Sequence, residues 1–286
     1  ENLPAHAQLE LMVGDIADIA MVDRCMQDRD AVVHLAAVAS VQASIDDPLG
    51  THRSNFDGTL NLLEAARRYG CKRFVYASSA AIYGDTEVLP VVENLIPNPL
   101  SPYACDKLAG EYYLRYYTRK HGLNTTAFRF FNIYGPRQDP SSPYSGVISI
   151  FMDRLQKGEA FTIFGDGEQT RDFVYVGDLV ALLAAALTRD DLAGQAMNVG
   201  TGSEQSLLVL IAEIERLAGT RIERKHLPAR VGDIVRSRAD VTRLRQLMQT
   251  VPSTPLRDGL RELMLSLGVL RGASPRQFKA SDSKAR

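Results

Sequence analysis

The sequence predicts a doubly wound parallel α/β sheet followed by a smaller C-terminal α/β region. Two observations carry that prediction. Short apolar runs of strand length alternate with stretches of helical spacing from Leu9 to Phe131, the punctuation of repeated βαβ units. The alternation then breaks at Gly135-Pro136 and the polar run from Gln138 to Ser145, where a surface loop opens a second region.

Taken in order, Leu9 to Val13 reads as a strand ending in Gly14-Asp15, and Ile16 to Gln27 as a helix. A strand follows at Ala31 to Ala36. Pro48 opens a helix running to Tyr69, with Phe56, Leu60, Leu63 and Ala66 on one face and Gly70 as its stop signal. Arg73 to Ser78 is a buried strand, the helix bearing Tyr103 and Lys107 ends near Gly122, and Thr125 to Phe131 is the next strand. Beyond the loop come a helix at Val147 to Gln156, strands at Phe161 to Phe164 and Arg171 to Val176, and a helix at Leu179 to Leu187. Ala196 to Val199 closes the sheet. A helix at Ser206 to Ala218 and a strand at Arg221 to His226 complete the second region, and residues 272–286 are polar enough to be disordered. The expected division is 1–132 with 174–199 for the sheet domain, and 133–173 with 200–271 for the second region.

Composition narrows the class of partner. The 286 residues are 45% hydrophobic, and 33 basic side chains face 34 acidic ones. Such a balance, with no Lys/Arg block, implies neither nucleic acid nor an anionic membrane as partner and favours a small molecule. Three cysteines without CxxC spacing argue against a disulfide framework or a metal site and suit a reducing cytoplasm. No apolar run is long enough to span a bilayer.

In parallel sheets of this kind ligands sit beyond the carboxyl ends of the strands. The residues there are Asp15-Ile16, Ala36-Ala37, Ser78-Ser79 and Asn132. On the following helix, Tyr103 and Lys107 are four residues apart and so share a face. A phenol titrates near about 10 and is a poor base at neutral pH unless a positive charge favours its phenolate. Lys107 supplies one, although an isolated YxxxK is more often a buried Tyr beside a solvated Lys.

The chain resembles the extended short-chain dehydrogenase/reductase family of nucleotide-sugar epimerases and dehydratases. The resemblance rests on GDIAD (14–18), HLAA (34–37), YASSAAIYG (76–84), SPYACDK (101–107), RFFNIYGPRQDP (129–140), GDGEQTRDFVYVGDL (165–179) and PARVGDIVRSRAD (228–240), all in order. It implies a Rossmann-like domain with NAD as cofactor. The family's first strand and glycine turn have no counterpart here, which the length of a βαβ opening puts at roughly 40 residues before Glu1. Without that turn the stretch is expected to bind NAD weakly.

Residue by residue, the resemblance implies that Asp15 and Ile16 hold the adenine, and that Leu35, Ala36, Ala37 and Asn55 lie against the cofactor. Tyr103 is the base, Lys107 holds the cofactor ribose and lowers the phenol's pKa, and Ser79 bonds the reacting oxygen. Asn132, Arg171 and Arg230 match residues that hold a diphosphate, Asp233 the nucleotide ribose, and Val147, Ile148, Phe164 and Phe173 the uridine. Arg236 and Arg238 suit surface salt bridges equally well and are left out. Ala80 and Ala81 stand where related dehydratases carry an Asp-Glu pair and decarboxylases a Glu, so dehydration is disfavoured and 4-epimerisation remains. Ser237 matches a position that is bulky in epimerases restricted to unmodified hexoses and small in those accepting N-acetylated sugars. The expected substrates are UDP-GlcNAc/UDP-GalNAc, with UDP-glucose/UDP-galactose as a second pair. A homodimer through the helix at 48–69 and the Tyr103 helix is also implied, Tyr112, Tyr113, Tyr116 and Tyr117 serving either that interface or the core. A nucleotide-sugar reductase or dehydratase, and a non-catalytic sugar-nucleotide-binding protein, stay open as alternatives.

Overall fold

A computed structural model of the chain describes residues 6, 8–138, 146–229 and 234–270. The elements run α1 (Ile19–Met26), β1 (Ala31–His34), α2 (Val41–Asp46), α3 (Pro48–His52), α4 (Gly58–Arg68), β2 (Arg73–Ser79), α5 (Pro102–His121) and β3 (Asn124–Phe130). There follow β4 (Asn132–Tyr134), α6 (Val147–Lys157), β5 (Phe161–Phe164), β6 (Thr170–Arg171), β7 (Phe173–Tyr175), α7 (Val176–Ala186) and β8 (Gln195–Val199). The last are β9 (Gln205–Ser206), α8 (Leu207–Ala218), β10 (Arg224–Leu227), α9 (Thr242–Met248) and α10 (Leu256–Ser266).

The central sheet is parallel, in the order β1-β2-β3-β8. Its side chains alternate faces as the pleat requires. Phe74, Tyr76 and Ala127 pack under α1, α4 and α5 with Val22, Leu63, Leu114 and Tyr117. Val75, Phe128, Met197 and Val199 point the other way, onto Leu179, Leu182 and Leu183 of α7 and Leu244 and Met248 of α9. Helices therefore cover both faces. The packing of α9 on this sheet departs from the expected assignment of all of 200–271 to the second region. That region has its own core, where Phe151 and Phe161 stack 4.3 Å apart among Ile163, Leu210, Ile214 and Leu260, and its β5 pairs in parallel with β10.

Four local expectations need correction. Leu9 to Val13 forms no ladder, and Leu11 and Val13 stand 67% and 88% exposed; a strand is held by its neighbour, and no described strand lies alongside. The helix expected at 48–69 is broken into α3 and α4 by a π-helical turn at Arg53–Asp57, which carries Asn55 inward. The strand expected at 171–176 divides into β6 and β7 around Asp172, whose buried carboxylate binds other segments. The strand expected at 221–226 forms as β10, displaced toward Leu227. Residues 139–145, 230–233 and 271–286 lie outside the described residues, and with them Arg230, Asp233 and the tail expected to be disordered.

Register brings the ends of β2, β3 and β8 level, while β1 stops lower, at the level of Tyr76. His34 lies opposite Tyr76, Ser79 opposite Phe130, and Phe130 opposite Val199. Leu35, Ala80, Asn132 and Gly200 therefore all emerge at one edge. Beneath it His34 is buried, its Nε2 2.9 Å from the Thr59 hydroxyl, and burial followed by the charge on Lys107 lowers its pKa to about 3.

Because the native imidazole stays neutral where the unfolded one takes up a proton, stability is complete above the unfolded pKa of 6.5 and falls as pH drops toward about 3. Chemical denaturation at pH 7 and pH 5 is expected to show this loss reduced in His34→Gln by roughly 1–2 kcal/mol. An equal loss in both proteins would contradict it.

Candidate active site

Helix α5 delivers the first reactive pair. Ser101 caps it, its hydroxyl accepting from the Ala104 amide at 3.2 Å, Pro102 fills the first turn and Gly122 ends it at φ 70°. This fixes Tyr103 and Lys107 in the first two turns, facing the end of β2. Lys107 is 3% exposed. Its Nζ donates to the Ala77 carbonyl at 2.7 Å and lies 4.9 Å from the Tyr76 ring centroid and 5.8 Å from that of Tyr103. Gly110 is needed for this packing, since a Cβ there would come within 2.6 Å of the Tyr76 hydroxyl.

The electrostatics of the pair are dominated by burial. Burial pushes the Tyr103 phenol up, while its hydrogen bond with Ser79 pulls it down. Burial lowers Lys107 to about 8, and the Asp106 carboxylate opposes that fall. The ammonium is therefore the favoured form below about 8, but Lys107 does not by itself bring the phenol down, as the sequence reading expects. A further positive charge next to the ring is needed.

Ser79 ends β2 and caps the short 3₁₀ turn Ala80–Tyr83, accepting from the Ala81 amide at 3.1 Å. It lines a cavity of about 190 Å³ together with Ala80, Ala81, Tyr83, Thr86, Asn132, Arg171, Arg236 and Ser237. A second cavity of about 580 Å³ is lined by Asn132, Val147, Ile150, Arg154, Thr162, Phe164, Gln169, Arg171 and Leu227. Asn132 and Arg171 face both, so they stand where the two meet. Arg171 is fixed there, its Nη1 donating to the Ile234 carbonyl at 2.6 Å and to its own neighbour Thr170 at 2.9 Å.

Of the residues expected to hold the substrate, Ser79, Asn132, Val147, Phe164, Arg171 and Ser237 line these two spaces; others do not. Ile148 is 2% and Phe173 7% exposed, and both belong to the second core rather than to a cavity wall. Helical spacing explains Ile148: α6 turns Val147 and Ile150 toward the cavity and Ile148 and Phe151 inward, Phe151 still touching the wall. Asn55 uses its amide on the backbone of Val38, accepting at 2.7 Å and donating at 3.1 Å. It therefore shapes the loop after β1 instead of presenting a free side chain. Arg236 makes an ion pair with Glu204, as a surface reading suggests, yet also lines the smaller cavity. Tyr83, Thr86, Gln169 and Thr162 are additions that no spacing singled out.

Behind Ser79 lies a buried polar network. Ser78 donates to Glu111 at 2.5 Å, Arg129 grips both oxygens of Glu111 at 2.9 and 2.7 Å, and Tyr83 bridges Arg129 at 2.7 Å to Asn198 at 2.6 Å. Opposite charges at core-facing positions of α5 and β3 were the available sequence signal for it.

The residues after β1 fit a flat, partly charged cofactor such as NAD. Leu35 is 55% exposed and Ala36 is exposed, an uncovered apolar shelf one residue past the Tyr76 level and hence beside Ala77 and its lysine. Asp15 is held by Arg53 at 3.2 Å and accepts from the Ala17 amide at 2.9 Å. It keeps acceptor capacity for a ribose or adenine donor, while Ile16 is pinned against Gly58 of α4.

If burial governs Lys107, NMR titration of ¹⁵N-labelled lysines will find its ammonium losing its proton near about 8, and Asp106→Asn will move that midpoint lower. Titration with the exposed lysines would refute the burial assignment.

Comparison with known proteins agrees with this geometry. The model of the NAD dependent epimerase/dehydratase family matches residues 1–200. The UDP-glucose 4-epimerase of Mycolicibacterium smegmatis is 39% identical over 255 residues, 88% of this chain and 81% of that protein. The UDP-N-acetylglucosamine 4-epimerase of Methanobrevibacter ruminantium, solved with UDP-N-acetylmuramic acid, superposes with a TM-score of 0.89 at 34% identity, covering 93% of this chain and 85% of that one. The UDP-glucose 4-epimerase of Thermotoga maritima, solved with UDP-glucose, gives 0.85 at 36% identity, covering 89% and 83%. With its parallel sheet, its Tyr103/Lys107 pair beside Ser79 and a family match running through all of them, the chain belongs to the NAD-dependent epimerase/dehydratase family.

Proposed function

We propose that this protein epimerises C4 of a UDP-hexose with NAD as a permanently held cofactor, acting on UDP-GlcNAc/UDP-GalNAc and also on UDP-glucose/UDP-galactose. The observation that carries the reading is the composition of the smaller cavity: Ser79 beside Tyr103, and Ala80 and Ala81 in the wall where an eliminating or decarboxylating enzyme needs a carboxyl group. Relatives with decarboxylase activity exist, such as the UDP-glucuronic acid decarboxylase 1 of Xenopus tropicalis at 32% identity. The two alanines favour epimerisation over that chemistry.

Bound NAD supplies oxidation at C4 and its reversal. The chain's own residues handle the proton and the placement. Tyr103 takes the proton of the 4-hydroxyl and returns it, and the Ser79 hydroxyl holds the same oxygen. Lys107, charged below about 8, favours the phenolate. Arg171 and Asn132, at the junction of the cavities, suit the diphosphate, since a guanidinium fork pairs well with phosphate oxygens. Val147, Ile150, Phe164 and Leu227 offer the larger cavity an apolar lining for the uracil. Arg230 and Asp233 keep their expected roles at the diphosphate and the ribose. Rotation of the sugar about its diphosphate link would exchange the faces of C4, and with oxidation and its reversal both supplied by one bound cofactor the reaction would carry no net redox change. Ser237, small and on the cavity wall, leaves room for an acetamido group.

A homodimer through α5 and the α3–α4 segment is part of the proposal. Tyr112, Tyr113 and Tyr116 are 52%, 39% and 52% exposed and Leu49 82%, an apolar face that a second copy would cover. Tyr117 is 2% exposed and hydrogen-bonded to Glu64, and so belongs to the core. Three free cysteines suit a reducing, cytoplasmic setting, and no described helix is long and apolar enough to cross a membrane.

Incubation of the NAD-loaded protein with UDP-GlcNAc and with UDP-glucose, followed by NMR of the products, is expected to yield the C4 epimer in each case; no epimer from either would sink the proposal. Tyr103→Phe should lower kcat by about 10²–10⁴-fold while leaving substrate binding in place. Ser237→Tyr should cut kcat/KM for UDP-GlcNAc by about tenfold or more, and that for UDP-glucose by less than about threefold. An unchanged rate with UDP-GlcNAc would remove Ser237 as the determinant of sugar size.

A further inference from the structure

Asp172 lies between β6 and β7, with Arg171 and Phe173 on either side, and it is fully buried at 0% exposure. Its Oδ1 accepts from the Thr201 amide and the Thr201 hydroxyl, each at 2.7 Å. Its Oδ2 accepts from the Gly202 amide at 3.0 Å and the Ala239 amide at 3.2 Å. Its backbone carbonyl accepts from the Asn132 amide at 3.1 Å and from Asn132 Nδ2 at 3.4 Å. One residue thus gathers three segments: Asn132 at the junction of the cavities, the turn after β8, and the segment 234–240 that lays Ser237 along the smaller cavity.

The fit around that carboxylate leaves no slack. A Cβ on Gly200 would come within 2.4 Å of the Ala239 Cβ and 2.7 Å of Asp172 Oδ2. The residues just before Asp172 hold the same segment, the Thr170 amide donating to the Val235 carbonyl at 2.9 Å and Arg171 to the Ile234 carbonyl at 2.6 Å. Four donors on two oxygens require a group that only accepts; an amide of the same shape would turn its own N–H bonds toward two of them. Buried donors stripped of their acceptor are costly, so the segments would shift apart.

We infer that Asp172 is a positioning residue that sets the sugar end of the site, binding the Ser237 segment, Asn132 and the diphosphate grip of Arg171 into one mechanical unit. It touches no substrate itself. The inference rests on the UDP-sugar reading of the two cavities, and it adds that the shape of the sugar chamber is held from behind by this carboxylate.

The test uses Asp172→Asn and, should that variant fail to fold, Gly200→Ala, which presses on Ala239 from the other side. Amide hydrogen exchange of residues 234–240 is expected to quicken about tenfold or more while that of β2 and β3 stays within about twofold. Calorimetry is expected to find the affinity for UDP-GlcNAc reduced about fivefold more than the affinity for UDP. Exchange in 234–240 that rises only in step with the sheet, or equal weakening of both ligands, overturns the inference. Should the unaltered protein bind neither ligand, the UDP-sugar reading itself fails, and the exchange measurement alone decides whether Asp172 holds the segment.

Discussion

Glu111 sits on the buried face of α5 and accepts both arms of the Arg129 guanidinium from β3 and the hydroxyl of Ser78 from β2. Two charges in a dry core are tolerable only when paired and hydrogen-bonded on every side. Here the solution also has a geometric result. It ties the helix that carries Tyr103 and Lys107 to the strand that ends in Ser79, and through Tyr83 and Asn198 to the end of β8. Such pairs add little net stability over an apolar core, because desolvation offsets most of the attraction, but loss of one partner costs about 3–5 kcal/mol. Its value here lies in the register it imposes.

The same logic recurs at Asp172, where a buried carboxylate collects donors from loops instead of a guanidinium. Burial pushes that carboxyl group up, and the hydrogen bonds from Thr201, Ala239 and Gly202 hold it down. Loops pay no ladder for their backbone, so a single well-satisfied acceptor can decide where they lie. The sheet thus presents rigid strand ends, while the cavity wall that carries Ser237 hangs from side-chain anchors.

Burial also shapes the chemistry. A phenol and an ammonium that share a dry pocket are each driven toward neutrality, the phenol upward and the ammonium downward. The pair is therefore poised, and a positive charge or a hydrogen-bond donor next to the phenol tips it toward the base. Ser79 is such a donor.

Periodicity sufficed for the parallel sheet from Ala31 onward, for the long helix from Pro102 and for the second core, because burial on fixed faces leaves a repeat of two or of 3.6 in the residues themselves. The Tyr103/Lys107 spacing and the Ser79 and Asn132 positions were legible for the same reason, as residues at strand ends or one helical turn apart, whereas Arg171 came only from the family resemblance. Local pattern failed at Leu9–Val13, whose strand character needs a neighbour that pattern does not contain; the resemblance pointed to Ile148 and Phe173, where one position of helical rotation or one pleat separates cavity wall from core. The ion pair of Glu111 with Arg129, the turn that commits Asn55 to Val38, and the donors gathered by Asp172 join residues 17 to 67 positions apart. Sequence alone determined which chemical groups the strand ends would carry; only the tertiary structure decided which of them meet, because a buried charge takes its partner from whatever the fold brings within reach.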